Sequence, residues 1–272
     1  SLRPLRHLDF YPDGAVLLTY GRLSLSPHPL RLLKRPIHGR GCLPSVLLRQ
    51  WSVLNLIDAE RCYNEIGGLQ GSMAVGWAVF RNYVGHAKEI YGDITEYPLF
   101  FLMPPSALVE ADEEGNNVVA LSSATEHIDH EVELVIKLGD ELQPIEMCVG
   151  CDTTNRTRQT RAKKEGWPWL EGKGFTGSGV LGTWTKWDSS ILSVGLSING
   201  ELRQESTTDL MVHSVDSILS HLSSWYTPMP GDMIWTGTPQ GVGPMKEGDV
   251  IECWLKDSEG NVISTLNATC VI

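Results

Sequence analysis

Short runs in which apolar and polar residues alternate, broken by Gly, Pro, Asn and Asp, recur along the chain and predict many brief strands and few helices. Residues 5–11 and 15–19 read as two strands around the turn residues Pro12, Asp13 and Gly14. The spacing of Val46, Leu47, Trp51, Leu54 and Ile57 predicts a helix over 44–64. An apolar strand beginning at Ala74 runs into a short helix, with Asn82 near its N-cap. Residues 99–103 predict another strand and 112–117 a polar turn. Then comes His127-Ile-Asp-His-Glu-Val-Glu-Leu-Val-Ile-Lys137. As a strand it sends Val132, Leu134 and Ile136 towards the core and gathers Glu131 and Glu133 on the other face.

The last third of the chain continues the pattern. A strand over 192–198 meets Asn199-Gly200, the strongest short hairpin signal, and returns over 201–204. Residues 212–225 have helical spacing. Two further strands, opened by Gly231-Asp232 and Gly248-Asp249, flank a Gly- and Thr-rich loop. The fold class expected is α+β, mainly β: an antiparallel or mixed barrel or roll, with no doubly wound sheet.

Composition narrows the function classes. A chain of 272 residues, 42% hydrophobic and 20% charged, can bury a sizeable core. No apolar run approaches the length of a membrane span. A net charge of -11 argues against a nucleic-acid partner, whose backbone is bound by Lys and Arg. Residues 1–70 carry nine Lys and Arg against five Asp and Glu, and the remainder 13 against 28. That shift places a boundary near residue 70, between a small N-terminal α/β unit (1–70) and a larger domain (71–272). The basic stretch 27–40 is not read as a transit peptide, because acids and strand-like flanks surround it. The six Cys show no secreted-domain spacing, so reduced thiols in a cytoplasmic protein are expected. Cys148 and Cys151 form a lone CxxC, read as buried thiols over a zinc or redox site.

Candidate chemistry lies in four places. Glu131 and Glu133 offer hard oxygen ligands suited to Mg²⁺, Mn²⁺ or Ca²⁺, although an isolated Glu-x-Glu is more often the polar face of a half-exposed strand. His86 and Glu89, three apart on a helix, can act as an imidazole with an orienting carboxylate, or be a plain surface pair. Asp152 precedes a basic run, and Lys173 lies in the Gly-rich stretch 172–178, expected to be flexible. The loop Thr236-Gly237-Thr238-Pro239 can cradle a carboxylate or carbonyl through its backbone N–H groups, or be a simple hairpin loop.

Six motifs occur in order: Arg81-Asn-Tyr-x-x-His-x-x-Glu89, His130-Glu-x-Glu-Leu134, Asp152-x-Thr-x-Arg156-x-x-Gln159, Lys173-x-Phe175, Asn199-Gly-Glu-x-x-Gln204 and Gly231-Asp-x-Ile-x-Thr-Gly-Thr-Pro-x-Gly-Val-Gly243. Together they resemble the fumarylacetoacetate hydrolase superfamily, most closely its acylpyruvase and oxaloacetate decarboxylase branch, from about Val75 to the C-terminus. The resemblance implies a mixed β-roll, normally a homodimer, with residues 1–70 as the variable leading domain. It implies Mg²⁺ or Mn²⁺ held by Glu131, Glu133 and Asp152, with Ca²⁺ as a substitute. It places a His–Glu dyad on His86 and Glu89, an active-site Lys on Lys173, and substrate-lining positions on Arg156, Gln159 and Thr238, with Gly237 beside it. Three departures stand out: Met103 replaces a usual Lys, the link from Glu133 to Asp152 is too short for the expected helix plus strand, and residues 21–70 do not resemble a familiar leading domain.

The function so implied is metal-dependent C–C hydrolysis of an acylpyruvate or another β-diketo acid, or decarboxylation of oxaloacetate. The alternatives are an isomerase, hydratase or dehydratase of a 2-oxo acid on the same fold, a catalytically lapsed binding protein, and thiol redox chemistry at Cys148 and Cys151.

Overall fold

The structure is a computed structural model that describes residues 74–90, 92–111 and 117–272. The strands expected at 5–11 and 15–19, the helix at 44–64 and the leading unit 1–70 lie outside the described residues, as does most of the turn 112–117.

Among the described residues three sheets make up a mainly β, mixed and curled architecture. The largest, of eight strands, runs in the order Phe100–Met103, Gly76–Val79, Met233–Trp235, Val132–Leu138, Pro144–Asp152, Gly179–Leu181, Leu108–Glu110, with Thr185–Lys186 also paired to Pro144–Asp152. A five-stranded sheet runs Glu201–Thr207, Ser193–Ile198, Val250–Lys256, Val262–Val271, Asn117–Ala120. A three-stranded one joins Gly243–Pro244, Ile128–His130 and Thr154–Asn155. Pairing is mostly antiparallel, with parallel pairs such as Gly76–Val79 beside Met233–Trp235. The main core lies between the two larger sheets, where Val132, Leu134 and Ile136 meet Val194, Leu196, Ile251 and Leu255. The helix Val215–Trp225 adds Ile218 and Leu222 to it.

At the centre is the hairpin of Val132–Leu138 and Pro144–Asp152, in register Glu133 with Gly150 and Val132 with Cys151. Its alternation is as the sequence predicts: Val132, Leu134 and Ile136 enter the main core, while Val135 packs on the other face with Trp235. The short link from Glu133 to Asp152 therefore closes as a tight turn, held by Gly139 N–H to Gln143 O (2.8 Å) and Leu142 N–H to Gly139 O (2.9 Å). No helix is needed to return Asp152 to its place: its N–H donates to Glu131 O at 2.8 Å. Gly150 is required here, because a Cβ would lie 2.7 Å from both the Trp235 ring and Val135.

Several expectations shift in detail. The first helix among the described residues, Val84–Glu89, is capped at Tyr83, so Asn82 precedes the cap. Its buried amide instead donates to His213 O (3.0 Å) and Thr236 O (2.9 Å) and accepts from His213 N–H (2.7 Å). Those bonds hold 212–213 in an extended link, and the following helix starts at Val215 with Ser214 as N-cap. Asn199 and Gly200 both have positive φ (52° and 78°), the backbone of the predicted hairpin turn. The two Gly-Asp strands lie in different sheets, so the loop between them is a crossover and not a hairpin. Met103 is fully buried in the Trp235 cluster.

Cys148 and Cys151 point to opposite faces of their strand, into separate core clusters, and are free thiols. Burial pushes Cys148 well up and Cys151 to about 12, the reverse of what a redox-active pair needs. Among the described residues no helix is long and apolar enough to cross a membrane.

Asp232 fastens the edge of the large sheet: its carboxylate accepts from Val75 N–H (3.0 Å), Trp77 Nε1–H (2.9 Å) and Met229 N–H (2.9 Å). Asp232→Ala leaves these donors without partners, and we expect it to cost about 3 kcal/mol. Urea unfolding of the full chain checks this; a loss within 0.5 kcal/mol, roughly that of a neutral surface change, would remove Asp232 from that role.

Candidate active site

Glu131 lies in the link between Ile128–His130 and Val132–Leu138, Glu133 is the second residue of the latter strand, and Asp152 ends its hairpin partner. All three are buried, and each offers an oxygen within 4.8 Å of the others. Gly237 N–H donates to Glu133 Oε2 at 2.8 Å. The loop read from sequence as a cradle for substrate thus directs its N–H at a carboxylate of the triad.

Lys173 lies at the end of a short helix, Leu170–Lys173, and is buried, where the sequence suggested a flexible stretch. The helix packs closely on Arg156–Glu165: a Cβ on Gly172 would lie 2.9 Å from Gln159 N. Lys173 Nζ donates to Glu131 Oε2 (2.7 Å), Asp152 Oδ2 and Thr154 Oγ1 (2.7 Å). Arg156 Nη2 donates to Glu131 Oε1 (2.6 Å), its Nε to Asp129 Oδ2 (2.7 Å) and its Nη1 to Gln159 Oε1 (2.7 Å).

Burial, reinforced by Asp152, raises Glu133 well above the usual carboxylate range. Burial and the charge of Glu131 also push Asp152 up to about 7, despite Lys173. Glu131 is buried too, but Lys173 and Arg156 outweigh that and hold it well below its ordinary value. Lys173 is the mirror case: burial works against its charge, and Asp152 and Glu131 raise it above the ordinary lysine value.

A small cleft opens over these groups, lined also by His86, Phe101, Gln159, Trp169 and Thr238. His86 is buried, with Nδ1 3.4 Å from Glu89 Oε2, so Nε2 is the nitrogen left for the cleft. Burial lowers its pKa below 6.5, against the pull of Glu131. Glu89 stands behind His86, one-third exposed, and also accepts from Gly241 N–H at 3.2 Å. Thr238 Oγ1 accepts from Gln204 Nε2 (2.8 Å), while Gln204 Oε1 accepts from Val132 N–H (3.1 Å) and faces His130 Nδ1 (2.8 Å).

The predicted residues therefore converge, except that Glu89 and Gly237 act from behind the lining. Sequence reading gave no role to Asp129, Thr154 or Gln204. Asp129 was two positions from Glu131 in the run that drew attention, and Gln204 ended one of the six motifs. Both act by holding another residue, and spacing alone carries no signal for that.

The residues present fit a divalent cation. Three hard-oxygen donors converge, and buried Asp152 Oδ1 has no hydrogen-bond partner among the described residues.

Residues 76–270 match the family model described as fumarylacetoacetate (FAA) hydrolase, C-terminal. The chain is 37% identical over 193 residues to a mouse oxaloacetate tautomerase, described as mitochondrial, covering 65% of this chain and 85% of that one. It is 34% identical over 192 residues to a mitochondrial oxaloacetate decarboxylase of Dictyostelium discoideum, covering 65% and 87%. It superposes with a TM-score of 0.67 and 30% identity on the crystal structure of fumarylpyruvate hydrolase from Pseudomonas aeruginosa in complex with Mn²⁺ and pyruvate, covering 74% and 90%.

If the triad binds a cation, binding competes with protons at Asp152, pushed up to about 7, and at Glu133, raised above the usual carboxylate range. Affinity for Mn²⁺ should then rise between about pH 6 and 8. At a hundredfold excess over Kd, Mn²⁺ should add about 2.7 kcal/mol of stability. Asp152→Asn should lose both effects. Thermal melts of the full chain across that pH range, with Mn²⁺ or EDTA, decide; an unshifted Tm would exclude the cation.

Proposed function

The chain belongs to the fumarylacetoacetate hydrolase family, and from that premise we propose a divalent-cation-dependent enzyme that acts through the C2–C3 enolate of a small 2-oxo acid. The reaction favoured is on a substrate of the oxaloacetate class: proton transfer at C3, or loss of C4 as CO₂. The observation that carries this is the convergence, in one small cleft, of three buried carboxylates with Lys173, Arg156 and His86.

Glu131, Glu133 and Asp152 would hold Mg²⁺ or Mn²⁺. When bound, such a cation supplies Lewis-acid polarisation of the 2-oxo group. Arg156, fixed by Asp129 and Gln159, presents a guanidinium that orients the substrate carboxylate. His86 is kept neutral by burial, so its Nε2 can accept a proton from C3 and return it. In decarboxylation the C3–C4 bond breaks, its electron pair enters the C2–C3 enolate, and C3 is then protonated. Lys173 offsets the negative charge that builds on the oxygen at C2. The expected homodimer is part of the same reading.

The His86–Glu89 pair favours a second reading, hydrolysis of an acylpyruvate, in which His86 takes the proton of an attacking water. The reading as a lapsed enzyme loses its motives: the short link still delivers Asp152, and Met103 does not line the cleft.

Turnover of oxaloacetate and acetylpyruvate, followed side by side with EDTA, Mg²⁺ or Mn²⁺ by enol absorbance and pyruvate formation, separates the readings. Metal-dependent reaction of oxaloacetate, at least tenfold faster than of acetylpyruvate by the convention that tenfold is one step of about 1.4 kcal/mol, supports the first; the reverse ratio supports the second. Glu131→Ala should abolish both, and His86→Ala should lower kcat by about 10²-fold or more. Because burial lowers the His86 pKa, the acidic limb of kcat/KM should fall below pH 6.5. No metal-dependent turnover of either acid would sink the proposal.

A further inference from the structure

Four cationic side chains line the cleft: Arg81, Arg156, Lys163 and Lys173. Arg156 is neutralised by Asp129 and Glu131, and Lys173 by Glu131 and Asp152. Among the described residues no carboxylate pairs with Arg81 or Lys163.

Arg81 is a fixed charge. Its guanidinium carbon lies 4.3 Å from the Phe80 ring centroid, and its Nη1 donates to Asp93 O at 3.2 Å. Its Nε is buried without a partner. Lys163 is the more adaptable of the two. It lies seven residues after Arg156 and four after Gln159 on one helix, so all three share a face. Its ammonium lies 5.0 Å from the Trp169 ring centroid, at an exposed position on the cleft wall. Desolvation against that wall, then the like charges of Arg156, Arg81 and Lys173, push its pKa down to about 8. An anion arriving in the cleft relieves that repulsion.

We propose that Lys163, backed by the fixed charge of Arg81, is the specificity-determining residue of this cleft. It takes the carboxylate at the far end of a dianionic 2-oxo acid and selects it over an acid whose far end is a neutral acyl or ester group. This rests on the 2-oxo acid reading of the same site. The triad with Arg156 serves the near end of the substrate, where both kinds of acid are alike. Lys163 serves the end where they differ.

The test is calorimetric titration of the full chain with Mg²⁺ and three probes: 3,3-difluorooxaloacetate, which has no C3 hydrogen to lose and whose C4 carboxylate is checked to be intact by ¹⁹F NMR after the titration, its 4-methyl ester, and oxalate. The wild type should bind the dianion about tenfold more tightly than the ester, the scale of one charge-assisted contact. Lys163→Met should erase that preference and Lys163→Arg keep it, with oxalate affinity unchanged in both. Raising salt to about 0.5 M should shrink the preference, because the contact is exposed. Oxalate binding with no dianion preference, or with one that survives Lys163→Met, overturns the role of Lys163 and leaves the 2-oxo acid reading in place. A Lys163-dependent dianion preference without oxalate binding does the opposite, and binding of none of the three probes overturns both.

Discussion

Three carboxylates buried with oxygens within 4.8 Å of one another cannot all carry charge unless positive charge is brought to them. The groups around the site read as answers to that constraint. Lys173 and Arg156 stabilise Glu131 as an anion, and Gly237 gives an N–H to Glu133. Asp152 keeps one buried oxygen, Oδ1, that has no partner among the described residues. The compensation is thus incomplete in the protein's own side chains, and burial keeps Glu133 well above the usual carboxylate range and Asp152 up at about 7. In the proposed function, a cation from outside would make up this deficit.

The sheets exist in a form that makes this burial rigid. The central hairpin sets Glu133 opposite Gly150 and returns Asp152 to within hydrogen-bond reach of the Glu131 carbonyl, so the three acids are placed by backbone pairing and not by long side chains. Trp235 closes the face behind them, packed where Gly150, Gly76 and Gly179 leave room. Gln204 reaches from the five-stranded sheet to Val132 N–H, Thr238 Oγ1 and Pro239 O, tying that sheet to the carboxylate strand and to the crossover loop. Asn82 does the same for the start of the first helix, and so fixes where His86 enters the cleft. Each of these polar side chains is buried and satisfied, and a slip in any element would leave one of them unpaired.

Alternation was enough to read the element types from sequence, although Val132–Leu138 is buried on both faces, with Val135 packed on Trp235 on the face that carries Glu133. It placed Glu131 and Glu133 together and Val132, Leu134 and Ile136 opposite. Asp152 was legible only as part of a motif, since its position depends on the pairing of two strands, a relation at long range that local spacing does not carry. The length of the link misled for the same reason: a tight turn and a helix are equally compatible with the ends, and the hydrogen bonds of the turn decide. Lys173 looked mobile because of its flanking glycines, yet Gly172 is there to let two helices touch. Asp129, Thr154 and Gln204 were out of reach because their roles are second-hand, set by what they hold.

Lys173 is where the electrostatics and the chemistry meet. With Glu131 and Asp152 both against its ammonium, its pKa is raised and it is a poor acid, suited to holding charge and not to giving up a proton. Those same two carboxylates are the ones a divalent cation would engage. Any positive charge that competes for them weakens the hold on the Lys173 proton and frees N–H bonds that are now spent inside the protein. In the proposed mechanism, cation binding would therefore make available the group that offsets charge at the substrate oxygen. Protein, cation and substrate would then be coupled through one ammonium group, and removing its charge while keeping its length, as in Lys173→Met, would remove that coupling and leave the carboxylates repelling one another.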